Sequence, residues 1–165
     1  MSTPGDRDPR NSITPDRSGQ DQAADPKAAQ DRTPTSKYRV LLVEDNPLNQ
    51  MLGKAMLEHC GCHVDAVGNG REAVEAFSRG TYDMIFMDCQ MPEMDGFEAT
   101  VRIRDLENRR PDAASAGHVP IVALTAYDTE GDREHCNTAG MDDYVGKPFN
   151  VATLQATIAK WCPGR

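Results

Sequence analysis

The sequence predicts an α/β fold: a doubly wound, five-stranded parallel sheet alternating with five helices. Three observations carry this. Short apolar runs of strand length recur from Tyr38 onward and alternate with stretches of helical periodicity. The run from Tyr82 to Met87 is nearly continuous in apolar residues after its start, as in a strand covered on both faces. Polar residues stand where the runs stop: Glu44-Asp45, Asp88, Thr125 and Lys147. Right-handed crossovers place the carboxyl ends of parallel strands on one edge. Ligands of open α/β sheets bind at that edge, near the point where strand order reverses.

The elements follow in order. Tyr38 to Val43 reads as the first strand. Asn46 is placed as N-cap and Pro47 at the first helical position. Leu48, Met51, Leu52, Ala55, Met56 and Cys60 then recur at helical spacing until Gly61. His63 to Val67 is a half-alternating strand, Asn69-Gly70 a turn, and Ala73, Val74, Ala76 and Phe77 mark a helix ending at Gly80. After the third strand, residues 88–96 form a loop, and a helix runs from Gly96 through Leu106. Residues 108–117 are polar, contain Pro111 and Gly117, and read as a surface loop. Val119 to Leu124 is the fourth strand, residues 129–139 a helix poor in large apolar residues, Asp142 to Val145 the fifth strand, and Phe149 to Trp161 the last helix.

Composition bounds the function. A 165-residue chain suffices for one domain with a real core. Its net charge of −8 argues against a nucleic-acid partner reached through a basic face. Residues 1–36 hold one large aliphatic residue after the initiator, Ile13, and cannot bury enough apolar surface to offset ordering. They are expected to be a disordered extension, leaving 37–163 as the folded domain. No apolar run resembles a signal peptide or is long enough to span a bilayer, so a cytoplasmic protein without a membrane partner is expected. Five cysteines at 60, 62, 89, 136 and 162 form no paired CxxC sets and read as reduced thiols, with Cys89 a buried packing residue. The histidines at 59, 63, 118 and 135 read as solvated side chains.

The predicted edge has a chemistry of its own. Carboxylates crowded within a few ångströms raise one another's pKa unless a cation intervenes. Mg²⁺ (or Mn²⁺) suits hard oxygen donors and keeps several waters. Asp45 and Asp88 are assigned as direct ligands, the backbone carbonyl of Gln90 as a third, and Glu44 as a partner through water. Asp88 is then a nucleophile for phosphorus, forming an acyl phosphate. Lys147 supplies positive charge to the phosphoryl oxygens, with the Thr125 hydroxyl and Ala126 amide as further donors. Neither GxxxxGK[ST] nor GxGxxG after the first strand occurs, so nucleotide-handling machinery is not expected.

With these residues in place, the chain resembles a two-component response-regulator receiver domain from about Tyr38 to Trp161. The phrases are Leu42-Val43-Glu44-Asp45-Asn46, Met87 through Gly96, Leu124-Thr125-Ala126 and Tyr144-Val145-Gly146-Lys147-Pro148-Phe149. The resemblance implies a flavodoxin-like three-layer sandwich with strand order 2-1-3-4-5. It implies that Asp88 accepts a phosphoryl group from a phosphohistidine on a histidine kinase or histidine-phosphotransfer protein, with Glu44 and Asp45 as the acidic pair. It implies Thr125 and Tyr144 as a switch pair acting on the surface of the fourth and fifth helices predicted here, 129–139 and 149–161. Beyond its own phosphorylation and slow dephosphorylation, no enzyme activity is expected. Gln90 and Tyr127 stand two residues after Asp88 and Thr125, positions that the resemblance implies influence hydrolysis; bulk at both hinders an attacking water, so a phosphoryl lifetime that is not especially short is expected.

The phrases around Asp88 and Ala139 to Tyr144 further resemble receivers of hybrid histidine kinases. Without a kinase, ATP-binding or DNA-binding segment, the chain reads as a free-standing receiver or a piece of a longer one. The initiator Met and polar leader point to the former. It is expected as a monomer or weak homodimer acting on a downstream protein target. Three rival readings remain in play. An inactive receiver used as a protein-binding module would show no mass gain at Asp88 with Mg²⁺ and acetyl phosphate. A flavodoxin-like flavin binder would be coloured, and Glu44-Asp45 would repel its phosphate. A merely solvated acidic face would not place four strand ends together.

Overall fold

The computed structural model describes residues 37–126 and 129–164. The disorder expected for 1–36 and the placement of Tyr127 lie outside the described residues. Five strands pair in parallel: β1 (Tyr38–Val43), β2 (Cys62–Val67), β3 (Met84–Asp88), β4 (Ile121–Thr125) and β5 (Asp143–Gly146). Their order is β2-β1-β3-β4-β5, so chain direction across the sheet reverses between β1 and β3. The helices are α1 (Pro47–His59), α2 (Gly70–Arg79), α3 (Gly96–Asn108), α4 (Ala113–Ala116), α5 (Glu130–Ala139) and α6 (Val151–Trp161). The one-turn α4 corrects the surface loop expected over 108–117. Three small alanines in that span accept a helical turn despite the polar surroundings.

Alternation along the central strands builds two cores. Leu41, Val43, Ile85, Met87, Ile121 and Ala123 point to one face with Ala73, Phe77, Ala99 and Ile103 of α2 and α3 and Cys136 of α5. Val40, Leu42, Met84, Phe86, Val122 and Leu124 point to the other with Leu57 of α1 and Leu154 and Ile158 of α6. Burial of each large side chain stabilises by about 2 kcal/mol. The central strands are buried along nearly their whole length, which is why they read as continuous apolar runs.

The face of α1 departs from expectation. Leu48, Met51 and Leu52 are 66, 64 and 52 % exposed, while Gly53 and Leu57 are buried. The reason is steric. A Cβ on Gly53 would lie 3.1 Å from Leu42 Cδ2, so the absent side chain lets the helix seat on that side. Apolar spacing marked the helix but not the side that packs.

Every long helix starts at the carboxyl edge with a side-chain cap. Asn46 Oδ1 accepts from the Leu48 and Asn49 amides at 3.0 and 3.1 Å. Asn69, Asp95 and Asn150 do the same for α2, α3 and α6, and Thr129 with Asp132 forms a capping box on α5. Each cap is worth about 1 kcal/mol and fixes where a loop ends and a helix begins. The capped ends hold the connecting loops in register with the strand ends.

Candidate phosphoacceptor cleft

A cleft of about 210 Å³ opens at the carboxyl edge where strand order reverses. Glu44, Asp45, Asp88, Gln90 and Lys147 line it, together with Asn46, Asn49, Leu124 and Ala126. Thus six of the site residues singled out in the sequence, Ala126 included, meet there. Thr125 ends β4 beside the cleft as a buried residue. Tyr144 lies in β5 next to Ala123, half-buried against the apolar core, with the Arg133 guanidinium 4.6 Å from its ring centroid. Asn49 was missed. Its one signal is a position a helical turn beyond the Asn46 cap, which carries it back over the same loop.

Backbone approach shapes the loop after β3. Gly96 N–H donates to Cys89 O at 3.2 Å, and a Cβ on Gly96 would stand 2.2 Å from the Asp88 carbonyl oxygen. No other residue fits there without displacing the backbone that carries Asp88. The Cys89 N–H donates to Leu124 O, extending the β3–β4 ladder one step beyond Asp88. On the other side, Lys147 N–H donates to Thr125 O at 2.7 Å and fixes the start of the Lys147 loop. The Gln50 amide nitrogen donates to Glu44 O at 3.1 Å and ties α1 to the acidic turn.

Charge is concentrated and unevenly buried. Glu44 is 2 % exposed, Asp88 is buried, and Asp45 stands in solvent. Lys147 Nζ bridges the buried pair, 2.7 Å from Glu44 Oε2 and 3.2 Å from Asp88 Oδ2. The Gln90 amide donates to Asp88 Oδ1 at 3.1 Å. Burial pushes the Asp88 carboxyl up to about 6, helped by the Glu44 charge and opposed by the Gln90 amide and Lys147. Burial pulls Lys147 down, but the Glu44 hydrogen bond and the charges of Asp88 and Glu44 overcome this and hold its ammonium above the ordinary lysine value.

The donor set fits a hard divalent cation. One oxygen from each of Glu44, Asp45 and Asp88 lies within 4.8 Å of the other two. Glu44 is already engaged by Lys147 and, at 3.3 Å, by the Asn46 amide. Asp88 is likewise engaged by Lys147 and the Gln90 amide, whereas Asp45 stands in solvent. Three carboxylates against one ammonium leave a surplus of negative charge that a cation would offset.

Other expectations fared unevenly. All five cysteines are free thiols, and Cys89 is buried as expected. The four histidines are exposed, as expected, and three of them have a side-chain neighbour. His118 Nε2 lies 2.9 Å from Asp142 Oδ1, His63 Nε2 3.7 Å from Asp65 Oδ1, and the His135 ring tilts against Phe97 with centroids 5.4 Å apart. Asp142 and Phe97 lie far along the chain from His118 and His135, whereas Asp65 stands two residues after His63 in the same strand. No helix among the described residues is long and apolar enough to cross a membrane.

A five-stranded doubly wound sheet carrying an acidic cleft and a lysine at its switch point defines the class of aspartyl receivers. The chain belongs to the response regulator receiver domain family, which it matches over residues 40–159. It is 44 % identical over 126 residues to the hybrid signal transduction histidine kinase B of Dictyostelium discoideum, covering 74 % of this chain and 6 % of that protein. Across the curated relatives in this group the chain spans 6 to 16 % of their length. The receiver domain of the sensor histidine kinase PA1611 from Pseudomonas aeruginosa PAO1 superposes with a TM-score of 0.66 at 45 % identity, over 75 % of this chain and 96 % of that one. That receiver was crystallised with a magnesium ion coordinated in its active-site cleft. The Ssk1 receiver of Saccharomyces cerevisiae, crystallised with the histidine phosphotransfer protein Ypd1, superposes with a TM-score of 0.69 at 36 % identity, over 77 % of this chain and 90 % of that one. This chain is thus a receiver domain of the two-component and phosphorelay type.

Proposed function

We propose that Asp88 takes a phosphoryl group from a phosphohistidine borne by a histidine kinase or histidine-phosphotransfer protein. The observation that carries this reading is the single cleft holding Asp88, two further carboxylates and Lys147 at the switch point of the sheet. An Asp88 oxygen attacks phosphorus, the P–N bond to the imidazole breaks, and the phosphoryl group remains as an acyl phosphate. With its pKa near 6, Asp88 is mostly ionised at neutral pH and ready to attack. Lys147 already contacts Asp88 Oδ2 and follows the incoming charge onto the phosphoryl oxygens, while Glu44 holds its Nζ in place. The Thr125 hydroxyl and Ala126 amide serve the remaining oxygens. Mg²⁺ (or Mn²⁺), held by Asp45, Asp88 and the Gln90 carbonyl with Glu44 through water, would screen repulsion between the cleft and the phosphoryl group.

The response is a population shift rather than turnover on another substrate. Thr125 draws toward the phosphoryl group, Tyr144 fills the space behind it, and the surface of α5, β5 and α6 changes for a downstream target. Enzymatic activity is limited to the chain's own phosphorylation and slow dephosphorylation. The donor docks over α1: Leu48, Met51 and Leu52 form an exposed apolar strip. Beside it Asn49, Leu52, Pro148 and Phe149 line a groove of about 260 Å³ that ends at Lys147. That strip suits the apolar face of a helix on a phosphotransfer partner.

The test is phosphotransfer to the full chain from phosphorylated histidine-phosphotransfer proteins, followed by intact mass. Wild-type protein gains one phosphoryl group with Mg²⁺, whereas Asp88→Asn gains none. Equal labelling of Asp88→Asn would misplace the acceptor. A wild-type chain unlabelled by every phosphohistidine donor and by acetyl phosphate would make it a phosphorylation-independent binding module instead.

A further inference from the structure

The ring of Tyr144 lies under a cation whose place the fold fixes from both ends of α5. At its C-terminal end the helix stops on Gly140 in the left-handed region, φ 93°, and the Met141 N–H donates to Cys136 O at 2.9 Å as the chain doubles back into β5. Arg104 clamps that corner by donating to Gly140 O and Asp142 Oδ2 at 2.9 and 2.7 Å. At the N-terminal end, the Thr129–Asp132 capping box sets the first turn, and the Arg133 N–H donates to Thr129 O at 3.3 Å. The helix is thereby held antiparallel to the strand that follows it, with exposed Arg133 over half-buried Tyr144. The guanidinium carbon stands 4.6 Å from the ring centroid, within the roughly 6 Å of a cation–π contact. A planar guanidinium suits this place, because it covers a ring face as an ammonium does not.

The sheet register offers the ring a second position. Tyr144 pairs with Ala123, and Thr125 stands two residues further along β4 on the same face. Ala123 is buried and presents only a methyl group beside the ring. The ring can therefore lie beneath Arg133 or swing along that face toward Thr125, and the second position gives up the guanidinium.

Given the acceptor role proposed for Asp88, on which this rests, we infer that Arg133 is the positioning residue of the switch ring: its guanidinium holds Tyr144 on the α5 side and sets the share of molecules ready for phosphorylation. A cation–π contact at an exposed site shifts a two-state balance by about two- to fivefold. Removing the contact raises the ready share by that factor while it is the minor one, and a reaction drawing on that share speeds up equally. By linkage, phosphorylation in turn loosens the guanidinium from the ring.

The test labels the full chain with Mg²⁺ and acetyl phosphate, a donor too small to reach α5, and follows intact mass. Arg133→Ala should label about two- to fivefold faster than wild type, and Arg133→Lys, which keeps a cation, should fall between them. A double-mutant cycle with Tyr144→Ala isolates the ring: in that background, Arg133→Ala should leave the rate unchanged. Without any donor, the Tyr144 ring resonances of Arg133→Ala should move part of the way toward those of the wild-type chain bound to Mg²⁺ and beryllofluoride, a shift that simple loosening of α5 does not produce. Arg133→Met, which retains the apolar stem without the charge, gives the same reading should Arg133→Ala fold poorly. Labelling of Arg133→Ala at the wild-type rate, equal acceleration with and without the Tyr144 ring, or unmoved Tyr144 resonances would each overturn the role of Arg133 and leave the acceptor reading standing. A wild-type chain that takes no label from acetyl phosphate or a phosphohistidine donor removes the acceptor reading, and this role with it.

Discussion

The two edges of the sheet each gather charge, but in opposite ways. At the amino edge, Arg104 of α3 donates to Gly140 O, Val119 O, Glu107 Oε2 and Asp142 Oδ2 at 2.7 to 2.9 Å. The two carboxylates are completed by the Val119 amide on Glu107, and by the Ile121 amide and His118 on Asp142. Each named oxygen there has a donor from the chain itself. At the carboxyl edge, Glu44 and Asp88 share one ammonium, Asp45 stands in solvent beside them, and the cleft stays open. Buried charge alone does not mark a reactive place. Charge left partly unanswered by the fold does, because something from outside must answer it.

The contrast can be broken most forcefully at the amino edge. Arg104→Ala leaves Glu107 and Asp142 without their cation in a site where their side chains are 10 and 13 % exposed. It should cost about 3 kcal/mol in urea denaturation while phosphoryl uptake by the folded protein stays within about twofold of wild type, since the network lies at the far end of the strands. At the carboxyl edge, Mg²⁺ at a hundredfold excess over its dissociation constant should stabilise by about 2–3 kcal/mol, read as a rise in Tm. Asp45→Ala should lose most of that rise, and Arg104→Ala should keep it. The smallest expected effect is a pH dependence in chelator. Asp88 holds its proton more tightly when folded, near 6, than the ordinary 3.8 of the unfolded chain. Folding stability should therefore fall by about 1–2 kcal/mol as pH rises from about 4 to 6 and then level off. Asp88→Asn should abolish the decline and be the more stable protein at neutral pH.

Much of this was legible in the sequence, and the portion that was not has a common cause. The parallel α/β sheet, the convergence of Glu44, Asp45, Asp88, Thr125 and Lys147, and the cap at Asn46 follow from local pattern and general topology, while the strand order came from the family resemblance. The Arg104 network joins residues up to 38 positions apart, and nothing near Arg104 announces Asp142. The exposed strip on α1 was hidden for another reason. Leu48, Met51 and Leu52 have the spacing of a core-facing stripe, but Gly53 decides which side approaches Leu42. Likewise Gly96 looks like an ordinary turn glycine, and its role shows only in the 2.2 Å that a methyl group would leave to the Asp88 carbonyl.

The chain's one tryptophan closes the seam between its last strand and last helix. Trp161 Nε1 donates to Asp143 Oδ2 at 2.8 Å, the same oxygen that Lys160 grips, and Asp143 directly precedes Tyr144. Ultraviolet emission excited at the red end of the indole band thus originates from a lone fluorophore bonded to the residue that precedes Tyr144. Its colour and lifetime offer a label-free optical gauge of whether that strand and helix stay joined.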